Sequence, residues 1–173
     1  MKVFILPAAA LLALAVLPGC TSDSGTPAQP SFYTSMANDS ASVDAAAAAS
    51  MISGYRGNNG LGVVEVDADL MRMAMDHART MAAKDKVDRA AGREFTGRLA
   101  AAGFDGKIAV ENVSAGYHTL AEAFSGWRDS PPHRANLLKG GVSRLGIAAV
   151  YAPQSKYKVF WALIMAAKDE GRG

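Results

Sequence analysis

A chain of 173 residues, half of them apolar and 20% charged, can build one globular domain with a buried core plus some unstructured sequence, and is too short for two. Its formal charge is +2, or +1 once Lys2 is discounted with a cleaved leader, and it has no run of five or six like charges. Nucleic acid is thereby excluded as an expected partner.

Residues 3 to 17 carry no charge and follow Lys2, the layout of a signal peptide, and the stretch is short for a membrane span. It leads into Leu17-Pro18-Gly19-Cys20, which resembles a lipobox, where a small residue precedes the cysteine that is acylated and becomes the mature N-terminus. The expectation is a signal peptide over 1–19 and a lipid anchor on Cys20. The alternative is an ordinary leader cut elsewhere, for example after Ala13-Leu14-Ala15, with Cys20 an incidental thiol. Cys20 is the only cysteine, so the mature domain has no disulfide and must be held by packing. From Thr21 to about Asn38 the chain is rich in Ser, Thr, Pro, Gly and Gln, the composition of a flexible tether.

A folded domain is expected over 39–168, with 169–173 as a tail. Asp39 or Ser40 can cap a first helix that continues through the alanine run to Met51, Ile52 and Tyr55 and stops at Gly57-Asn58-Asn59-Gly60. Leu70, Met73, Ala74, His77, Ala78 and Met81 recur at helical spacing behind Asp67, a second cap candidate. A shorter helix is predicted from about Glu94 to Ala102, ended by Gly103. Another opens at Thr119, where Thr119-Leu120-Ala121-Glu122 fits a capping box, and runs to about Asp129. Ser130-Pro131-Pro132 reads as one more helix start, with Ser130 as the capping hydroxyl.

Toward the end the period changes. Leu145, Ile147, Ala149 and Tyr151 alternate, a turn is marked by Ala152-Pro153-Gln154-Ser155, and Tyr157 to Met165 is apolar at nearly every position, which predicts a hairpin. A strand apolar on both faces needs cover on both, and the upstream helices are the available covers. The fold class expected is α+β, a three-layer helix-sheet-helix sandwich around a small antiparallel sheet.

Several segments then occur in a telling order: Gly60-Leu61 through Asp67; Asp76-His77-Ala78-Arg79-Thr80-Met81-Ala82; Phe95-Thr96-Gly97-Arg98-Leu99 with Gly103-Phe104; Glu111-Asn112-Val113 with Ala115-Gly116-Tyr117; Trp127; Ser130-Pro131-Pro132-His133-Arg134-Ala135-Asn136-Leu137-Leu138; Gly146-Ile147; and Trp161-Ala162. Over about residues 45 to 167 they resemble the CAP superfamily of cysteine-rich secretory and plant pathogenesis-related proteins. The resemblance implies the sandwich fold and a cleft that, where complete, holds two histidines and two acidic residues able to bind a divalent metal. Glu111 matches one acidic position and His133 one histidine. The other histidine position falls in Lys86-Val87-Asp88-Arg89, which has none, and the second acidic position is Ser130, with Asp129 beside it. With two of four ligands present, no cofactor is expected. A divalent metal on Glu111 and His133, helped by Asp88 or Asp129, is the open alternative.

Each of these residues also has a plain structural reading. His133 is either a cleft residue paired with Glu111 or part of a hydrogen bond that pins a loop. His77 lies on an apolar stripe and is expected to be a core histidine with one satisfied partner, the alternative being a replacement metal ligand. His118 is expected to be exposed and is assigned no role. Asn112 is expected to hold the loop shape, Arg134 to be solvated, and Trp127 and Trp161 to be core. Ser130, tied up as a cap, is not a convincing nucleophile. The functional expectation is an exported, membrane-anchored module of the bacterial cell envelope that binds a lipid or envelope protein in the cleft. The alternatives are a metal-assisted hydrolase using His133 as base beside Glu111, and a structural lipoprotein with a relict cleft.

Overall fold

The computed structural model describes residues 29–88 and 93–168. The leader, Cys20, residues 21–28 of the tether, Arg89 and the 169–173 tail lie outside the described residues.

In chain order the elements are a 3-10 turn at Ser31–Tyr33, α1 (Ala45–Gly57), β1 (Glu65–Val66), α2 (Ala68–Ala83), α3 (Arg93–Ala101), β2 (Phe104–Ala115), α4 (Leu120–Asp129), α5 (Pro131–Leu137), β3 (Arg144–Tyr151) and β4 (Val159–Lys168). The packed domain begins ahead of the expected boundary at 39: Met36 is buried in the core, and its N–H donates to the His118 carbonyl at 2.7 Å. Helix α1 starts later than Asp39 or Ser40. Among several residues able to cap, Asp44 is the one used, its Oδ1 accepting from the Ala47 N–H at 2.9 Å. Asp67 caps α2 through the N–H groups of Asp69 and Leu70, and Thr119 and Glu122 close the capping box of α4.

The described strands form one sheet in the order β1-β3-β4-β2. The expected hairpin is β3-β4, antiparallel, with Leu145 opposite Met165 and Tyr151 opposite Val159. The long strand β2, which propensity does not announce, pairs antiparallel along the other side of β4, with Val113 opposite Ala162. The sheet is not wholly antiparallel: β1 runs parallel to β3.

β4 shows why this is a three-layer fold. Its odd residues Val159, Trp161, Leu163 and Met165 enter a core with Ala48 and Ile52 of α1, Leu120, Ala123 and Trp127 of α4, and Leu137 of α5. Its even residues Phe160, Ala162, Ile164 and Ala166 enter a second core with Leu70, Met73, Ala74, Ala78 and Met81 of α2 and Leu99 of α3. A period of two on a strand covered on both sides gives a continuous apolar run. The expected core tryptophans are there, Trp127 and Trp161 meeting edge-on at 6.4 Å.

Helix α2 lies directly on β3. A Cβ at Gly146 would run into the backbone of Leu70 and Met71, so glycine at this position sets the closeness of helix and sheet. In the other layer Arg56 is buried without a carboxylate. Its guanidinium donates to the carbonyls of Gly62, Leu137, Lys139 and Val142, tying α1 to the C-terminus of α5 and the loop beyond it. Burial pulls its pKa below the ordinary arginine value.

Candidate functional site

Strand β2 lies at one edge of the sheet, and alternation sends its side chains into both helix layers. Val113 faces the α2/α3 core, so Glu111 does too. There it meets His77, which α2 projects from its buried stripe. The His77 Nδ1 and Glu111 Oε1 lie 2.5 Å apart, with both residues buried.

The His77 imidazole titrates above its ordinary value of 6.5. The chief cause is the hydrogen bond to Glu111; burial opposes it, the Glu111 charge and the backbone of Asp88 add to it, and Arg98 of α3 works against it. The hydrogen bond to Glu111 thus favours the protonated ring inside the fold. Asp88 lies in the segment where the resemblance places a histidine. That segment meets a histidine here, brought up from α2.

Asn112, the next residue on β2, faces the other layer and meets α5. Its Nδ2 donates to the His133 carbonyl at 3.0 Å, and its Oδ1 accepts from Asn136 Nδ2 at 2.8 Å. Asn136 also donates to the Glu111 carbonyl at 2.9 Å. These bonds satisfy buried amide groups and clamp the start of α5 onto the edge strand. The main chain of His133 is thus held beside the Glu111-Asn112 step, with its side chain partly buried.

The structure therefore joins Glu111 to His77 through side chains and brings His133 to the same stretch of β2 through its backbone. The core-histidine reading of His77 holds, and its partner is the candidate cleft carboxylate. Asn112 bonds a backbone group as expected, but it lies in β2 and what it holds is α5 rather than a loop. His118 and Arg134 are exposed. Ser130 departs from expectation: it links the end of α4 to the start of α5, and its side chain makes no cap hydrogen bond. Asp129 is bonded to Arg128 (Nε to Oδ1, 2.8 Å), which holds its carboxyl below the usual range.

Among the described residues no three His, Cys, Asp or Glu side chains gather as a metal would require. The donors present there do not fit a divalent metal site: Glu111 is buried and bonded to His77, and Asp129 is bonded to Arg128. Sequence reasoning missed the His77 to Glu111 pairing and the clamping role of Asn136. Only the place of Asn136 in the segment Ser130 to Leu138 marked it.

A two-layered helical cover over this sheet, with Glu111 on the edge strand and His133 on α5, matches what the resemblance implies. The model of the cysteine-rich secretory protein family, CAP, matches residues 49–165, and the chain belongs to that family. No curated protein matches it significantly by sequence. Among solved structures it is similar to an outer surface protein of Borrelia burgdorferi, at 16% identity and TM-score 0.61, covering 74% of this chain and 98% of that one. It is also similar to an extracellular protein containing an SCP domain from Bacillus anthracis, at 23% identity and TM-score 0.57, covering 71% of this chain and 40% of that one. A cysteine-rich secretory protein from Staphylococcus aureus, at 17% identity and TM-score 0.57, covers 71% of this chain and 38% of its own. The chain thus spans well under half the length of the latter two, and at these identities the likeness establishes the fold.

Proposed function

We propose that the chain is an exported CAP-domain protein of the bacterial cell envelope, lipid-anchored through Cys20, whose cleft beside β2 binds an envelope lipid or protein. The observation that carries the binding reading is the buried His77 to Glu111 pair at 2.5 Å. A buried polar pair costs desolvation that apolar residues of similar size would avoid, which favours a use for it beyond stability. Here the pair is mounted on a strand and a helix, next to α5, which Asn112 and Asn136 fix to β2, so its geometry is held rigidly. Export and anchoring are supported by the uncharged stretch 3 to 17 and by Leu17-Pro18-Gly19-Cys20. The outer-surface and extracellular names of two similar structures agree with this location. The short donor set weighs against metal-assisted hydrolysis at Glu111 and His133.

The test is nitrogen NMR of the histidine rings in the full chain, titrated with micelles of a short-chain phospholipid. Saturable shifts of the His77 or His133 signals, with the lipid recovered intact, are expected. Cleavage of an ester or amide substrate that disappears in a folded His133→Ala variant would overturn the binding reading.

A further inference from the structure

The geometry points to a second contact with the bilayer: the face made by the Ser31–Tyr33 turn and the outer side of α1 rests on the membrane surface. This rests on the anchor at Cys20 proposed above. Every exposed position of α1 is Ala46, Ser50, Gly54 or Gly57, and its one charged residue, Arg56, is buried. A surface helix ordinarily turns charged residues outward, as α2 does with Arg72, Asp76 and Arg79. From residue 29 to 58 the other charges are Asp39 and Asp44, and Asp44 is occupied in capping α1 and accepting from the Ser31 hydroxyl at 2.6 Å.

Beside α1 an open pocket of about 480 Å³ is lined by Pro30, Ser31, Phe32, Ala47, Ser50 and Met51. The Phe32 and Tyr33 rings stand 4.7 Å apart at its rim, and Tyr33 is 50% exposed. A ring with an apolar body and a polar tip, as Tyr33 has, is favoured at the level of lipid headgroups.

Chain length selects the occupant. Nine residue steps separate Cys20 from Gln29, and fully extended they span about 30 Å. A domain of roughly 140 residues has a radius of gyration of about 14 Å, so its width is comparable with that reach. The chain enters at the Ser31 turn, so an anchor at Cys20 keeps this face toward the bilayer and the α2 face, across the sheet, away from it.

The test uses the full chain, expressed with its leader, recovered and placed in phosphatidylcholine–phosphatidylglycerol vesicles containing brominated lipid. Trp127 and Trp161 are 1% and 0% exposed, which shields their background emission from the brominated lipid. In the Tyr33→Trp chain, emission from the new indole should shift to shorter wavelength and be quenched by the brominated lipid. In the Arg79→Trp chain, on the far face, it should do neither. If both chains sediment with the vesicles and are unquenched, or quenched alike, docking is overturned and the anchor stands. If neither sediments, the anchor reading fails and takes the docking with it.

Discussion

His77 and Glu111 are the two side chains on which the site's electrostatics turn. The folded chain holds the imidazole above its ordinary 6.5, chiefly through the hydrogen bond to Glu111 and against the effect of burial. The folded state therefore binds that proton more tightly than the unfolded chain. Its stabilising contribution is fully present below about pH 6.5 and is lost as pH rises through the folded-state pKa. His77→Gln should cost on the order of 3 kcal/mol in denaturant unfolding on the acid side of that range, because it leaves a buried carboxylate short of its counter-charge. The gap to the wild type should narrow as pH is raised, and a gap that is flat or widens with pH would show that the ring is not held protonated by Glu111. In sequence, Glu111 and His133 were legible as members of a motif. The pairing of Glu111 with His77 was not, because it depends on which face of β2 turns toward α2, and nothing local announces β2.

At the scale of elements, the legible parts were those whose signals are local. The stripe Leu70 to Met81 and the box Thr119 to Glu122 specify α2 and the start of α4 within a few residues of sequence. β2 carries Asp105, Gly106, Lys107, Glu111, Asn112 and Ser114, a poor strand composition, and it forms because β4 offers a long partner some fifty residues downstream. The start of α1 was ambiguous because Asp39, Ser40 and Asp44 can all cap, and tertiary contacts choose among them. The two helix starts that follow β2 differ in a measurable way. Thr119 makes its cap bond and Ser130 makes none, although both are cap residues by type. Thr119→Ala should lower stability by about 1 kcal/mol, whereas Ser130→Ala should stay within about 0.5 kcal/mol, the range of a substitution away from any such feature. Thermal unfolding of the two variants compares them directly, and equal losses would contradict the capping difference.

Over the whole molecule the apolar patterning carried the architecture. A hairpin with a strand buried on both faces, and helices enough to cover it, already calls for a three-layer sandwich, and both cores assemble on β4. Two features that brace those layers left little trace in the sequence. Gly146 stands in the motif segment Gly146-Ile147, but nothing local says that α2 will be laid across it, and nothing local says that four carbonyls will converge on Arg56. The place of the domain in the cell rests instead on the first twenty residues. If the chain is a lipid-anchored envelope protein, its covalent attachment depends on the Cys20 thiol. The measurement that bears on this most directly is fractionation of cells expressing the wild type or Cys20→Ala. The wild type should sediment with membranes and require detergent for release, while Cys20→Ala should appear in the soluble exported fraction with its fold intact. Equal partition of the two chains would contradict the account.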